Sequence, residues 1–155
     1  MTANPDRRAF LGITAATAAG LLAGCSSSDG GVPSETGSPQ QTVDQYLNET
    51  DNYDGTIQDE TGSDSVTVDV GAEGNGGAYA FAPPAVRIDS GTTVTWVWTG
   101  NGSGHNVVHE QGEFESETTA EADNEFEHTF ESTGTYLYYC APHLGFNMRG
   151  AVVVE

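Results

Sequence analysis

The stretch Thr92 to Trp98 alternates strictly, with Val94, Trp96 and Trp98 on one side and Thr93, Thr95 and Val97 on the other. A period of two is that of an extended strand, whose successive side chains point to opposite faces of a sheet. Such a segment needs a covered face for its Trp and Val residues, so the chain must build a sheet packed against something else. The same texture recurs. Ser65 to Val70 sets Val66, Val68 and Val70 on one face, and Val86 to Ile88 enters after Pro83-Pro84. His105 to His109, Glu125 to Phe130, Thr135 to Cys140 and Ala151 to Val154 are further strand candidates, separated by Gly-rich or acidic turns. About seven to eight short strands predict an all-β chain, a Greek-key sandwich or barrel of antiparallel character. A short helical piece is expected around Val43 to Leu47, and 43–155 forms a single domain, as suits a chain of 155 residues.

The residues before it read differently. Arg7-Arg8-Ala9-Phe10-Leu11 opens an uncharged small and apolar run to Gly24, the pattern of a twin-arginine export signal over 1–24. That run is short of the ~20 strongly apolar residues of a spanning helix. It ends Leu22-Ala23-Gly24-Cys25, which resembles the lipobox of exported lipoproteins, so Cys25 is the expected site of lipid attachment; an uncleaved leader acting as the anchor is the alternative. Ser, Gly, Pro and acidic residues then give no apolar period, and 25–42 is expected to be a lipidated Cys followed by a flexible tether.

Charge narrows the partners. There are 23 Asp and Glu against four Arg and no Lys, and loss of 1–24, which holds two Arg and one Asp, leaves a net charge of −20. Nucleic acid is excluded as a partner by that field. The self-repulsion is tolerable in molar salt, where the Debye length falls to about 3 Å, so a salt-loving source is expected.

With Cys25 assigned to lipid, Cys140 is the one thiol left, and the domain can form no internal disulfide. The thiol opens the run Cys140-Ala141-Pro142-His143-Leu144-Gly145-Phe146-Asn147-Met148, which places thiolate, imidazole and thioether within nine residues at the end of a strand. Soft sulfur donors with imidazole suit copper cycling between Cu(I) and Cu(II), with zinc the lesser alternative. A second imidazole is available from His105 in Gly104-His105-Asn106-Val107-Val108. His109 and His128 have no partner at ligand spacing and are expected to be solvated, and the Trp96/Trp98 stripe and Tyr136 and Tyr138 to be core.

From Tyr46 to Glu155 the chain resembles the cupredoxin family, and within it the halocyanins of salt-loving archaea, with plastocyanin and pseudoazurin more distant. The resemblance rests on Gly104-His105-Asn106, on the gapless Cys140 to Met148 loop, and on Tyr53-Asp54-Gly55 and Gly74-Asn75-Gly76-Gly77. It implies one type 1 copper held by His105, Cys140 and His143 in a plane and by Met148 axially, with the Asn106 backbone donating to the sulfur. Pro142, which has no N–H, is expected to hold the reduction potential up.

Three function classes follow: an electron carrier, a copper oxidase, and a copper store or chaperone. Four His in all and no His-x-His pair exclude a three-copper oxidase cluster, and two Met in all, Met1 and Met148, speak against a Met-rich chaperone. The expectation is a non-enzymatic carrier of single electrons, monomeric and lipid-anchored at the outer face of the cell membrane. It would serve membrane-bound and soluble redox proteins through an apolar patch at Leu144 and Phe146.

Overall fold

The computed structural model describes residues 37–155. The leader, Cys25 and most of the expected tether lie outside the described residues. Two sheets face each other. One has the order β1 (Gln58–Asp59), β4 (Ala85–Ile88), β9 (Arg149–Val154), β8 (Gly134–Tyr139), β6 (Val108–His109); the other runs β3 (Gly77–Ala82), β2 (Ser65–Gly74), β5 (Thr92–Trp98), β7 (Glu125–Phe130).

The all-β sandwich is as expected, with nine strands among the described residues, but the antiparallel character holds only in part, because both sheets are mixed. β2 runs parallel to β5, with Val66, Val68 and Val70 beside Val94, Trp96 and Trp98, and β4 runs parallel to both β1 and β9. Parallel neighbours come from distant parts of the chain, so no hairpin turn announces them.

Alternation decides the inner layer. β5 buries Thr92, Val94, Trp96 and Trp98 in turn, and β2 buries Val66, Val68 and Val70. Val68 and Val70 are wholly buried, each a contribution of about 1.5–3 kcal/mol from apolar burial. Phe81, Val107, Tyr138, Cys140, Met148 and Val152 fill the space between the sheets, so two of the expected ligands belong to the core.

β9 departs from alternation, because Gly150 to Val154 are all buried. A strand buried on both faces reads as a continuous apolar run. Its outer face is covered by α1 (Pro39–Tyr46): Val43 and Leu47 pack with Ile57, Ala85, Ala151 and Val153. The helix begins earlier than the expected Val43. Ser38 caps it, accepting from Gln41 N while the Gln41 side chain accepts from Ser38 N, and Pro39 stands where its missing N–H costs nothing.

The segment 105–109 is a strand only at Val108–His109; His105 makes an isolated bridge to Thr119. No helix among the described residues is long and apolar enough to cross a membrane.

Candidate metal centre

Cys140 directly follows β8 and Met148 directly precedes β9. Between them a 3-10 turn, Ala141–Phe146, reverses the chain, with Pro142 in its first turn. The loop is closed by its own backbone: Cys140 N donates to Met148 O (3.0 Å), His143 N to Cys140 O (3.2 Å) and Met148 N to His143 O (3.4 Å). Asn147 ends the turn at φ 59°, the left-handed region Asn tolerates. Its carbonyl accepts from Thr50 Oγ1 (3.0 Å) and Asn75 Nδ2 (3.2 Å), which ties the loop to two distant segments.

His105 arrives from the other side. Its N–H and C=O pair with Thr119 at 2.9 and 3.0 Å, and its carbonyl also accepts from Trp98 Nε1 at 3.1 Å. Trp98 thus does more than fill the core.

The three donor atoms then meet. His105 Nδ1 lies 3.7 Å from Cys140 Sγ, His143 Nδ1 3.5 Å from the same sulfur, and the two Nδ1 atoms are 3.0 Å apart. The point equidistant from the corners of that triangle is about 2.0 Å from each, the length of a first-row metal–imidazole bond and somewhat short for metal–thiolate. All three side chains are buried, and among the described residues this is the His/Cys/Asp/Glu cluster able to hold a metal. Met148 is fully buried beside Cys140 in the core cluster.

Protonation suits ligation. Burial lowers the pKa of His105 and, with His105 beside it, that of His143, which favours the neutral ring, the form that can ligate. His105 Nε2 gives its hydrogen to Asn101 O at 2.7 Å, which turns the Nδ1 lone pair toward the sulfur. Burial pushes the Cys140 thiol up, while backbone hydrogen bonds from Asn106 and His143 hold it down. A cation displacing that thiol proton would relieve the conflict. Asn106 contributes a second bond that sequence reasoning missed, its Oδ1 accepting from Ala141 N at 2.8 Å and pinning the loop beside Cys140.

The structure therefore brings His105, Cys140 and His143 together, with Met148 at the loop's end and Asn106 and Pro142 adjoining. Leu144 and Phe146 are exposed, at 39 % and 52 %. The other two histidines stay outside the cluster, but neither is solvated as expected. His109 is 4 % exposed and stacks on Phe114 (4.8 Å, 11°), while half-buried His128 packs on the same ring at 4.7 Å. Phe114, at a hairpin between strands, draws both rings inward. Sequence reasoning also passed over Tyr79 of β3, which lies 4.6 Å from the His143 ring. The alternation of Tyr79 and Phe81 with Ala78, Ala80 and Ala82, between a Gly turn and Pro83, was the available signal.

The family model of copper-binding proteins of the plastocyanin/azurin family matches residues 66–155. A halocyanin of Natronomonas pharaonis is 47 % identical over 159 residues, spanning 96 % of each chain. The chain belongs to the plastocyanin/azurin family of copper-binding proteins. A plastocyanin of Scenedesmus fuscus is 38 % identical over 89 residues, 51 % of this chain and 90 % of its own. The solved oxidised plastocyanin of Dryopteris crassirhizoma covers 58 % of this chain and 100 % of its own at 24 % identity and a TM-score of 0.49. The chain is a halocyanin-like blue copper electron carrier, and its cofactor is copper.

Proposed function

We propose that the protein shuttles single electrons between redox proteins at the outer face of a cell membrane. In this reading His105, Cys140 and His143 would hold the copper, with Met148 as the fourth donor. Bound copper supplies a one-electron couple between Cu(I) and Cu(II). The chain's own part is to present the same donors in both states. The observation that carries this is the buried triangle of His105 Nδ1, His143 Nδ1 and Cys140 Sγ, with sides of 3.0, 3.5 and 3.7 Å, already of a size to receive the ion.

The donors are held by their surroundings: His105 by the Asn101 carbonyl, Cys140 by the backbone of Asn106 and His143, and the loop end by Asn147 under Thr50 and Asn75. A site held this way moves little when an electron arrives. Cys140 is fully buried in the core cluster that includes Val107, Phe81 and Met148, which keeps water from the sulfur.

Export and attachment follow from Arg7-Arg8 and Cys25, the latter carrying the lipid, with a monomeric domain on a short tether. Leu144 and Phe146 supply an apolar face for membrane-bound and soluble partners on an otherwise acidic surface.

The test is spectroscopic. Copper-loaded protein should show an intense visible thiolate-to-Cu(II) band and a reversible one-electron wave, and Cys140→Ser should lose the band because a hydroxyl is a poor soft donor. A blue Cys140→Ser protein refutes the assignment.

A further inference from the structure

His143 does not itself open onto solvent. It is 7 % exposed, whereas Phe146, three residues on, is 52 % exposed. The cover over the imidazole is aromatic. The Tyr79 ring lies 4.6 Å from the His143 ring, tilted by 35°, and 4.8 Å from the Phe146 ring, nearly parallel at 17°. His143 and Phe146 are farther apart, 6.1 Å at 50°, so Tyr79 is the middle member of the series. Its ring also meets His105 edge-on at 6.5 Å.

The fold takes some care to place this ring. Tyr79 belongs to β3, in the sheet opposite the one that carries the ligand loop. A Cβ on Gly77 would stand 2.7 Å from Tyr79 Cε2, so glycine there leaves the ring room to lie back over its own strand. Asn75 Nδ2 donates to Tyr79 O at 2.6 Å and to Asn147 O at 3.2 Å, clasping the base of Tyr79 to the end of the ligand turn. Plain core packing accounts poorly for the series, because its outer ring is half in water and gains only part of the benefit of burial.

We propose that the Tyr79 and Phe146 rings are the outer steps of the electron path, so that an electron passes between His143 and a partner through this aromatic stack, with Tyr79 as the positioning residue. The inference rests on the electron-carrier reading above. Each exchange moves one electron from the reduced site to the oxidised one-electron centre of the partner, and no bond forms or breaks. Contacting rings give the electron a continuous packed route where a smaller side chain would leave a gap.

The experiment uses the full-length, copper-loaded chain in molar salt, with electron self-exchange read from NMR line broadening in half-oxidised samples. The visible band and midpoint potential are recorded alongside. Tyr79→Leu should keep the band yet slow exchange about tenfold, equal to about 1.4 kcal/mol in the barrier. Tyr79→Phe should restore the rate, and Phe146→Leu, a surface change, should slow it as well. Wild-type exchange in Tyr79→Leu, or a Tyr79→Phe protein as slow as Tyr79→Leu, overturns the path. Should Tyr79→Leu fail to hold copper, Phe146→Leu decides alone: a wild-type rate there overturns the path. A wild type with no reversible couple refutes the carrier reading itself, whereas one that cycles normally while the leucine variants keep pace refutes only the path.

Discussion

His105 Nε2 donates to the Asn101 carbonyl at 2.7 Å, on the side of the ring away from Cys140. The backbone around that bond leaves no room for side chains. Gly71 and Gly102, at φ 86° and 80°, both crowd the His105 edge: a Cβ on Gly71 would come within 2.7 Å of Asn101 O and 3.0 Å of Nε2, and one on Gly102 would strike Ala78 O.

Gly71→Ala should therefore displace the Asn101 carbonyl and release the His105 ring from its fixed tautomer, besides straining a left-handed position. Copper affinity should fall about 10- to 100-fold, the usual cost of losing a ligand's outer partner. Competition against a chelator of known affinity checks it, and unchanged affinity would mean the bond to Asn101 does not orient the ligand.

His109 sets a pH dependence away from the copper. Its ring stacks on Phe114, lies 5.5 Å from Tyr136, and accepts from Glu113 N at Nδ1 (3.1 Å), so the neutral form carries its proton on Nε2. Burial lowers its pKa and His128 lowers it further, against the opposing pull of Glu113 and Glu110. With the folded pKa below the unfolded value of about 6.5, the unfolded chain binds more protons in between, and stability falls as pH drops through that window. The melting temperature of copper-loaded protein should decline below about pH 6.5, and His109→Gln should flatten part of that decline. Parallel profiles for the two proteins would remove His109 as the cause.

What could be read from the chain divides along physical lines. Alternation in Thr92–Trp98 and Ser65–Val70 reports burial directly, and the spacing of Cys140, His143 and Met148 is local, so strands and loop were legible. Pairing was not, because the parallel neighbours β2/β5 and β4/β9 meet across long sequence separations. The helix at Pro39–Tyr46 is a mere eight residues long, and its Ser-Pro-Gln-Gln cap has the composition of a tether. Tyr79 was invisible as a site residue because its role comes from the sheet it faces, and His109 was misjudged because Phe114 lies five residues on, beyond a turn.

Arg149 is the remaining lever on the potential. Among the described residues the cations are Arg87, which pairs with Glu155 at 3.1 Å, and Arg149, for which no ion pair is present. Arg149 follows Met148, lies opposite Tyr139 in the β8/β9 register, and is held by cation–π contact with Tyr46 (5.3 Å) and by Nη1 donating to Tyr46 O (3.4 Å). A fixed positive charge disfavours the oxidised, more positive site and so raises the midpoint. For any unit charge about 10 Å from a redox centre, at an effective dielectric near 20, the interaction would be about 1.7 kcal/mol, or about 70 mV for one electron. Arg149→Gln should lower the midpoint by up to that amount and Arg149→Lys should hold it, with the blue band intact in both. Because the guanidinium is partly buried, the shift should survive in molar salt, where exposed charges no longer act at that range. Voltammetry of the three proteins at low and high salt decides: equal midpoints leave Arg149 a packing role under α1, and a shift that vanishes with salt places its charge in the solvent.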